Sequence, residues 1–200
     1  DADPAALTAD LPLVAATAGG SRTIHALWQP HLAPAVSDAE LTAARRRAGL
    51  ALAERGDAEA GVRLLIEAGA WDDVATVVGE ALSTAYPPVP GDVVAGWLAR
   101  VPESMADGPL ARLLRAVGAV QADPASAARD LEAAAEAFGR DGNMSGEVAC
   151  FAQLAQLAWW SEQPSRLAGI ALRLLDMEAA GHRPAGPLAC LARALVADVA

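Results

Sequence analysis

From Ser37 onward, apolar residues recur at spacings of three and four, the period of one face of an α-helix. Ser37 and Glu40 stand as a capping box, and Leu41, Ala44, Ala48 and Leu52 follow as the first stripe. Gly56-Asp57 breaks that helix and caps a second, with Ala60, Leu64, Ile66 and Ala68 on its apolar face and Gly69 at its end. Trp71 opens a third with Val74, Val77, Val78 and Leu82, running to Pro87-Pro88. Gly91-Asp92 starts a fourth with Val94, Trp97 and Leu98, stopped near Pro102.

The second half is punctuated more cleanly. Leu110, Leu113, Leu114 and Val117 form a stripe ending near Ala122. Asp123-Pro124 is an N-cap followed by proline at the first helical position. Ala127, Leu131, Ala134 and Phe138 then lead to the turn Asp141-Gly142-Asn143. Val148, Phe151, Ala155 and Ala158 define the next helix; Gln163-Pro164 starts another with Leu167, Ile170, Leu174 and Met177. After a loop from Gly181 to Pro187, Leu188, Leu191, Leu195 and Val199 make the last stripe.

The first thirty-four residues read differently. Residues 4–10 and Ala26–Leu32 suit short helices, and between them Leu11–Thr17 and Ser21–His25 suit two strands turning at Gly19-Gly20. The expected organisation is therefore a small subdomain over 1–34 and a repeat domain over 35–200. About nine helices in antiparallel pairs, repeating every forty or so residues, cannot hide their faces pair by pair and must stack. The fold class is all-α: a TPR-like antiparallel helical-pair solenoid, with the class of repeat left open by its degeneracy.

Composition reinforces the helical reading. Hydrophobic residues make up 54% of the 200 and aromatics 4%, with alanine, the best helix former, dominating. The fifteen basic residues are all arginine. A phosphate-loop lysine, a Schiff-base lysine and a lysine general base are thus impossible within this sequence. The net charge of -10 argues against a grip on nucleic acid or on an anionic membrane. No apolar run reaches bilayer-spanning length, and the N-terminus lacks a signal-peptide pattern, so a cytoplasmic protein is expected. Cys150 and Cys190 read as reduced, buried thiols. The sequence lacks an initiator methionine, and its helical pattern runs to Ala200 without a cap, as expected of a piece of a longer protein.

Motifs for catalysis do not assemble. His25 and His31 are six apart, off one helix face, and His182 sits in a glycine-proline loop as a solvated side chain. There is no HExxH, CxxC, GxSxG or GxGxxG, so neither a metal nor another cofactor is expected. Asp72-Asp73 suits the positive end of a helix dipole. Arg45-Arg46-Arg47 reads as a solvated or salt-bridged face. Trp159 and Trp160 point about 100° apart on one helix, so both cannot enter one core. They are candidates for a ligand or partner surface, together with Arg112 and Arg115.

Thr23-Ile24-His25-Ala26-Leu27-Trp28, followed by His31-Leu32, resembles the end of the winged-helix segment in large bacterial LuxR-family regulators of the STAND ATPase type. Ala53-Glu54-Arg55-Gly56-Asp57 with Ala60, and Ala68-Gly69-Ala70-Trp71 with Ala75, resemble the helical repeats of the same regulators. So do Trp97-Leu98, Val101-Pro102 and Pro109-Leu110. The resemblance implies that 1–34 is a winged-helix remnant containing a β-hairpin. It implies that the repeats form a sensor arm that binds a small-molecule inducer or a regulatory protein and controls self-association. DNA and ATP would be bound only by other domains of the parent. The alternatives are a non-catalytic scaffold or adaptor for proteins and, in another class, an all-helical enzyme.

Overall fold

The computed structural model describes residues 14–16, 22–24, 36–84 and 89–179. The short helices at 4–10 and 26–32, the Gly19-Gly20 turn, the stripe from Leu188 to Val199, all three histidines, Trp28 and Cys190 lie outside the described residues. The chain divides into two compact units, residues 1–44 and 45–200. The helix starting at Asp38 runs across the division, ten residues beyond the boundary that the sequence suggests.

In the first unit, strands β1 (Val14–Ala16) and β2 (Arg22–Ile24) pair antiparallel, Val14 opposite Ile24 and Ala16 opposite Arg22. Helix α1 (Asp38–Glu54) begins there. The Ser37 backbone N–H donates to the Glu40 carboxylate at 2.9 Å, and the Glu40 N–H donates to the Ser37 hydroxyl at 3.3 Å. This is the capping box that the sequence predicts. The Ser37 hydroxyl and then its amide hold the Glu40 carboxyl below its ordinary pKa.

Helices follow in close order in the second unit. They are α2 (Ala58–Glu67), α3 (Trp71–Thr84), α4 (Gly91–Leu98), a 3-10 turn (Glu103–Met105), α5 (Pro109–Ala119), α6 (Pro124–Asp141), α7 (Met144–Trp160) and α8 (Pro164–Ala179). The described residues are thus dominated by helix, and none of the described helices is long and apolar enough to cross a membrane. Their boundaries follow the predicted caps at Asp57 and Asp123, and the predicted turn at Asp141–Asn143 supplies a further cap. Asp57, Asp123 and Asn143 each accept a hydrogen bond from the backbone N–H three residues on, and Gly142 ends α6 in the left-handed conformation. At φ +73° a side chain would be strained, which explains a glycine there.

The predicted stripes hold from α3 onward and fail in the first two helices. Val74, Val77, Val78, Leu113, Leu114, Leu131, Phe138, Leu167, Leu174 and Met177 are all buried. In α1, by contrast, Leu41, Ala44 and Ala48 are exposed, and Gly49 is the buried residue. In α2 the deepest side chains are Val62 and Leu65, neither of them on the expected stripe, with Leu64 and Ile66 half-buried. The reason is a glycine contact. A Cβ at Gly61 would lie 2.7 Å from the Gly49 carbonyl oxygen, and a Cβ at Gly49 would lie 2.8 Å from the Leu65 side chain. Backbone approach, invisible to hydrophobic periodicity, sets which face turns inward.

Packing is sequential for α2 on α3, α4 on α5, α5 on α6, α6 on α7 and α7 on α8. One major contact is not sequential: α3 packs on α7, with three α-helices between them in the chain. Asn143 Nδ2 donates to Thr76 Oγ1 at 3.4 Å, and Gln153 Nε2 donates to the Leu82 carbonyl at 3.2 Å. Both partners rise together in number, so these helices run parallel. Gly79 allows the approach, since a Cβ there would lie 2.5 Å from the Ser145 carbonyl carbon. Surrounded by α3, α6 and α8, α7 is buried on almost every side from Val148 to Ala158.

Candidate functional site

Ion pairs absorb much of the charge that the sequence offers for chemistry. Arg45 pairs with Glu67 at 3.3 Å, and Arg46 forms a two-pronged pair with Asp73. The arginine triplet thus ties α1 to α2 and α3. Asp73 raises the already high pKa of Arg46, through its hydrogen bond first and its charge second. Arg166 pairs with Glu132, and Arg173 donates to Glu147 at 3.0 Å.

Glu147 is the buried charged residue of the described core, at 4% exposure. Its carboxylate lies against Gly139, where a Cβ would come within 3.3 Å of Oε2. Among the described residues no buried side-chain nitrogen or oxygen lacks a hydrogen-bond partner. Cys150, one turn on, is buried, and burial followed by the Glu147 charge pushes its thiol far above the ordinary range. A thiol held neutral is a poor nucleophile. Among the described residues no group of three or more His, Cys, Asp or Glu is placed to hold a metal ion.

Of the four residues that the sequence singles out for binding, Trp159 and Trp160 are 61% and 56% exposed. The sequence allows one of them into a core; the structure places neither there. Their neighbours Leu157 and Ala158 complete the packed part of α7, and the two indoles emerge at its end. Arg112 is half-buried on α5 and donates from Nε to the Asp107 carbonyl at 3.0 Å, while Arg115 is exposed. None of these four residues lines any of three clefts formed by described residues of the second unit.

Two of the clefts have mixed charge. One sets Asp57, Glu59 and Asp92 beside Arg63 and Arg100; another sets Glu132, Glu136 and Glu147 beside Arg140 and Arg173. The third, of about 410 Å³, lies where the start of α3, the start of α5 and the α6–α7 turn converge. Its apolar lining comes from Trp71, Ala75, Met105, Pro109, Leu110 and Phe138. Polar groups come from Asp72, Thr76, Asp141 and Asn143. A cleft of this volume falls within the size range of small-molecule sites.

This third cleft is the candidate functional site. Its floor is part of the α3–α7 contact: Thr76 accepts from Asn143 and donates to the Asp72 carbonyl at 3.0 Å. A ligand there would touch both sides of the non-sequential packing. Sequence reasoning missed the site because its residues come from three separate segments, each already explained by a cap, a stripe or a turn.

No family profile, curated protein or solved structure matches this chain.

Proposed function

We propose that this chain is the helical sensor and protein-interaction arm of a bacterial STAND-type, LuxR-family transcriptional regulator, non-catalytic in itself and cytoplasmic. The reading carries over the winged-helix remnant, with β1 and β2 as its wing hairpin, and a TPR-like solenoid of helical pairs. The observation that best supports it is a cleft of ligand size where the start of α3, the start of α5 and the α6–α7 turn, far apart in sequence, converge. A signal bound there would favour one arrangement of the helices over another and so shift an equilibrium between resting and self-associating states. Packing between most successive helices supports the helical-pair architecture, and the α3–α7 contact adds a cross-link that simple neighbour stacking lacks.

Two measurements test the reading. The parent gene should encode a GxxxxGK[ST] motif upstream and a helix-turn-helix downstream; finding neither would remove it. A thermal-shift screen against small metabolites should raise the melting temperature for the inducing signal, because a ligand that binds only the folded state stabilises it.

The exposed Trp159–Trp160 pair favours a second reading, a scaffold that only docks proteins. Replacing both indoles by alanine should abolish protein docking under that reading and leave any small-molecule response unchanged. The expected stability change is within about 0.5 kcal/mol, as for other surface positions.

A further inference from the structure

We propose that the segment 188–199 docks as a helix along the outer face of α8, whichever function the chain serves. Its stripe of Leu188, Leu191, Leu195 and Val199 would meet Ala168, Leu172, Leu175 and Ala179. The observation behind this is that α8 is apolar on two sides. Leu167, Ile170, Ala171, Leu174 and Met177 are buried, and among the described helices α7 is the only extensive neighbour of α8. Ala168, Leu172, Leu175 and Ala179 form a second stripe at spacings of four, three and four. Leu172 lies two positions from the buried Leu174, about 160° around the helix. Leu172 is 54% exposed, Ala179 is exposed, and Ala168 and Leu175 are half-buried. One exposed leucine is ordinary on a protein surface, but a helix apolar on opposite sides is built to be covered on both.

The chain itself supplies the cover. Residues 180–187, with Gly181, Pro184, Gly186 and Pro187, separate α8 from the segment. That is a length common between packed helices, and the glycines and prolines suit a reversal of direction. The two stripes match in extent, each running about 16 Å along its helix axis, so an antiparallel return meets the α8 stripe over its whole length. Arg193 falls on the side of the segment away from its stripe, where it can stay in water. From α4 to α8 each helix packs on the next, and the docked segment extends that order by one. A second copy could offer the same stripe, but a short tether holds the chain's own segment at an effective concentration of order millimolar. A free partner at micromolar concentration competes poorly with that.

The test is hydrogen exchange read by mass spectrometry on the full 200-residue chain. Peptides covering 188–199 should exchange at least about tenfold more slowly than the same amides in an open chain. L172D should remove that protection and leave α5 and α6 as slow as before, whereas L172M should keep it. L191D/L195D, which leaves the described core untouched, should lower the melting temperature. Adding L172D to that pair should lower it little further, because the two faces already stand apart. Open-chain exchange over 188–199, protection unchanged in L172D, or strictly additive melting shifts would overturn the proposal. So would protection that appears only as concentration rises and the sedimenting mass doubles, which would assign the face to a second copy.

Discussion

Gly79 and Ser145 meet backbone to backbone: a Cβ added at Gly79 would lie 2.5 Å from the Ser145 carbonyl carbon and 2.6 Å from its oxygen. This contact lets α3 lie directly on α7 and brings the two sides of the candidate cleft together. A side chain can rotate away from a crowding methyl, but a peptide group cannot.

G79A is therefore expected to destabilise the chain, although alanine is the better helix former. The propensity gain is at most about 1 kcal/mol. Overpacking against immovable backbone costs about 1–3 kcal/mol, so the net loss should reach up to about 2 kcal/mol in urea unfolding. Gly169 is the control: it sits inside α8 with nothing within 4 Å of an added Cβ, and G169A should stabilise by up to about 1 kcal/mol. A stabilised G79A would show that the α3–α7 contact is looser than the structure describes.

Asn143 has two tasks where Asp123 has one. Both side chains cap a helix, accepting from Gly146 at 2.8 Å and from Ser126 at 2.9 Å. Asn143 also donates across to Thr76 on α3. D123A should cost about 1 kcal/mol, the ordinary loss of a cap, and N143A about 1 kcal/mol more. Only N143A should perturb the fluorescence of Trp71, which lines the same cleft. Equal costs and equal spectra would reduce Asn143 to a cap.

The Glu147–Arg173 pair is asymmetric, its carboxylate side chain 6% exposed and its guanidinium side chain 54%. R173M leaves a buried carboxylate without its cation and should cost about 1–3 kcal/mol, below a fully buried pair because water reaches the arginine end. In a double-mutant cycle, E147Q/R173M should cost less than the two single losses added, by at least about 0.5 kcal/mol. Strict additivity would mean that the pair contributes nothing to holding α8 on α7.

Cys150 links stability to alkaline pH. Its thiol is held neutral in the folded chain by burial and by Glu147, whereas in the unfolded chain it ionises near the ordinary value of about 8.5. A folded pKa above the unfolded one gives stability that is present below the unfolded value and lost as pH rises past it. Between pH 8 and pH 10 the melting temperature should therefore fall more steeply in the natural chain than in C150A. In a C190S background, thiol labelling of Cys150 should proceed at the rate of unfolding. Rapid labelling of the native chain would show an accessible thiolate instead.

Much of this fold is legible in the residues themselves. Helical content, the caps at Ser37, Asp57 and Asp123, and the turn ending at Asn143 follow from local hydrogen bonding and spacing. So do the buried faces from Val74 through Met177, because one stripe against one core is what periodicity encodes. The stripes of α1 and α2 were misjudged because Gly49 and Gly61 carry no apolar side chain, yet they govern how closely the two backbones approach. Trp159 and Trp160 show the converse: large apolar residues in a helical pattern that the packing leaves outside.

What the sequence determined by itself was an acidic, lysine-free chain of capped helices with apolar stripes, and hence no lysine-dependent chemistry within these residues. What the tertiary structure alone decided was the parallel contact of α3 with α7 across three intervening helices, and with it the cleft where Trp71, Asp72, Asp141 and Asn143 converge. The physical reason is range. Caps and stripes are fixed within a few residues of chain, but a backbone contact through Gly79 depends on where two distant segments come to lie, and no local pattern carries that information.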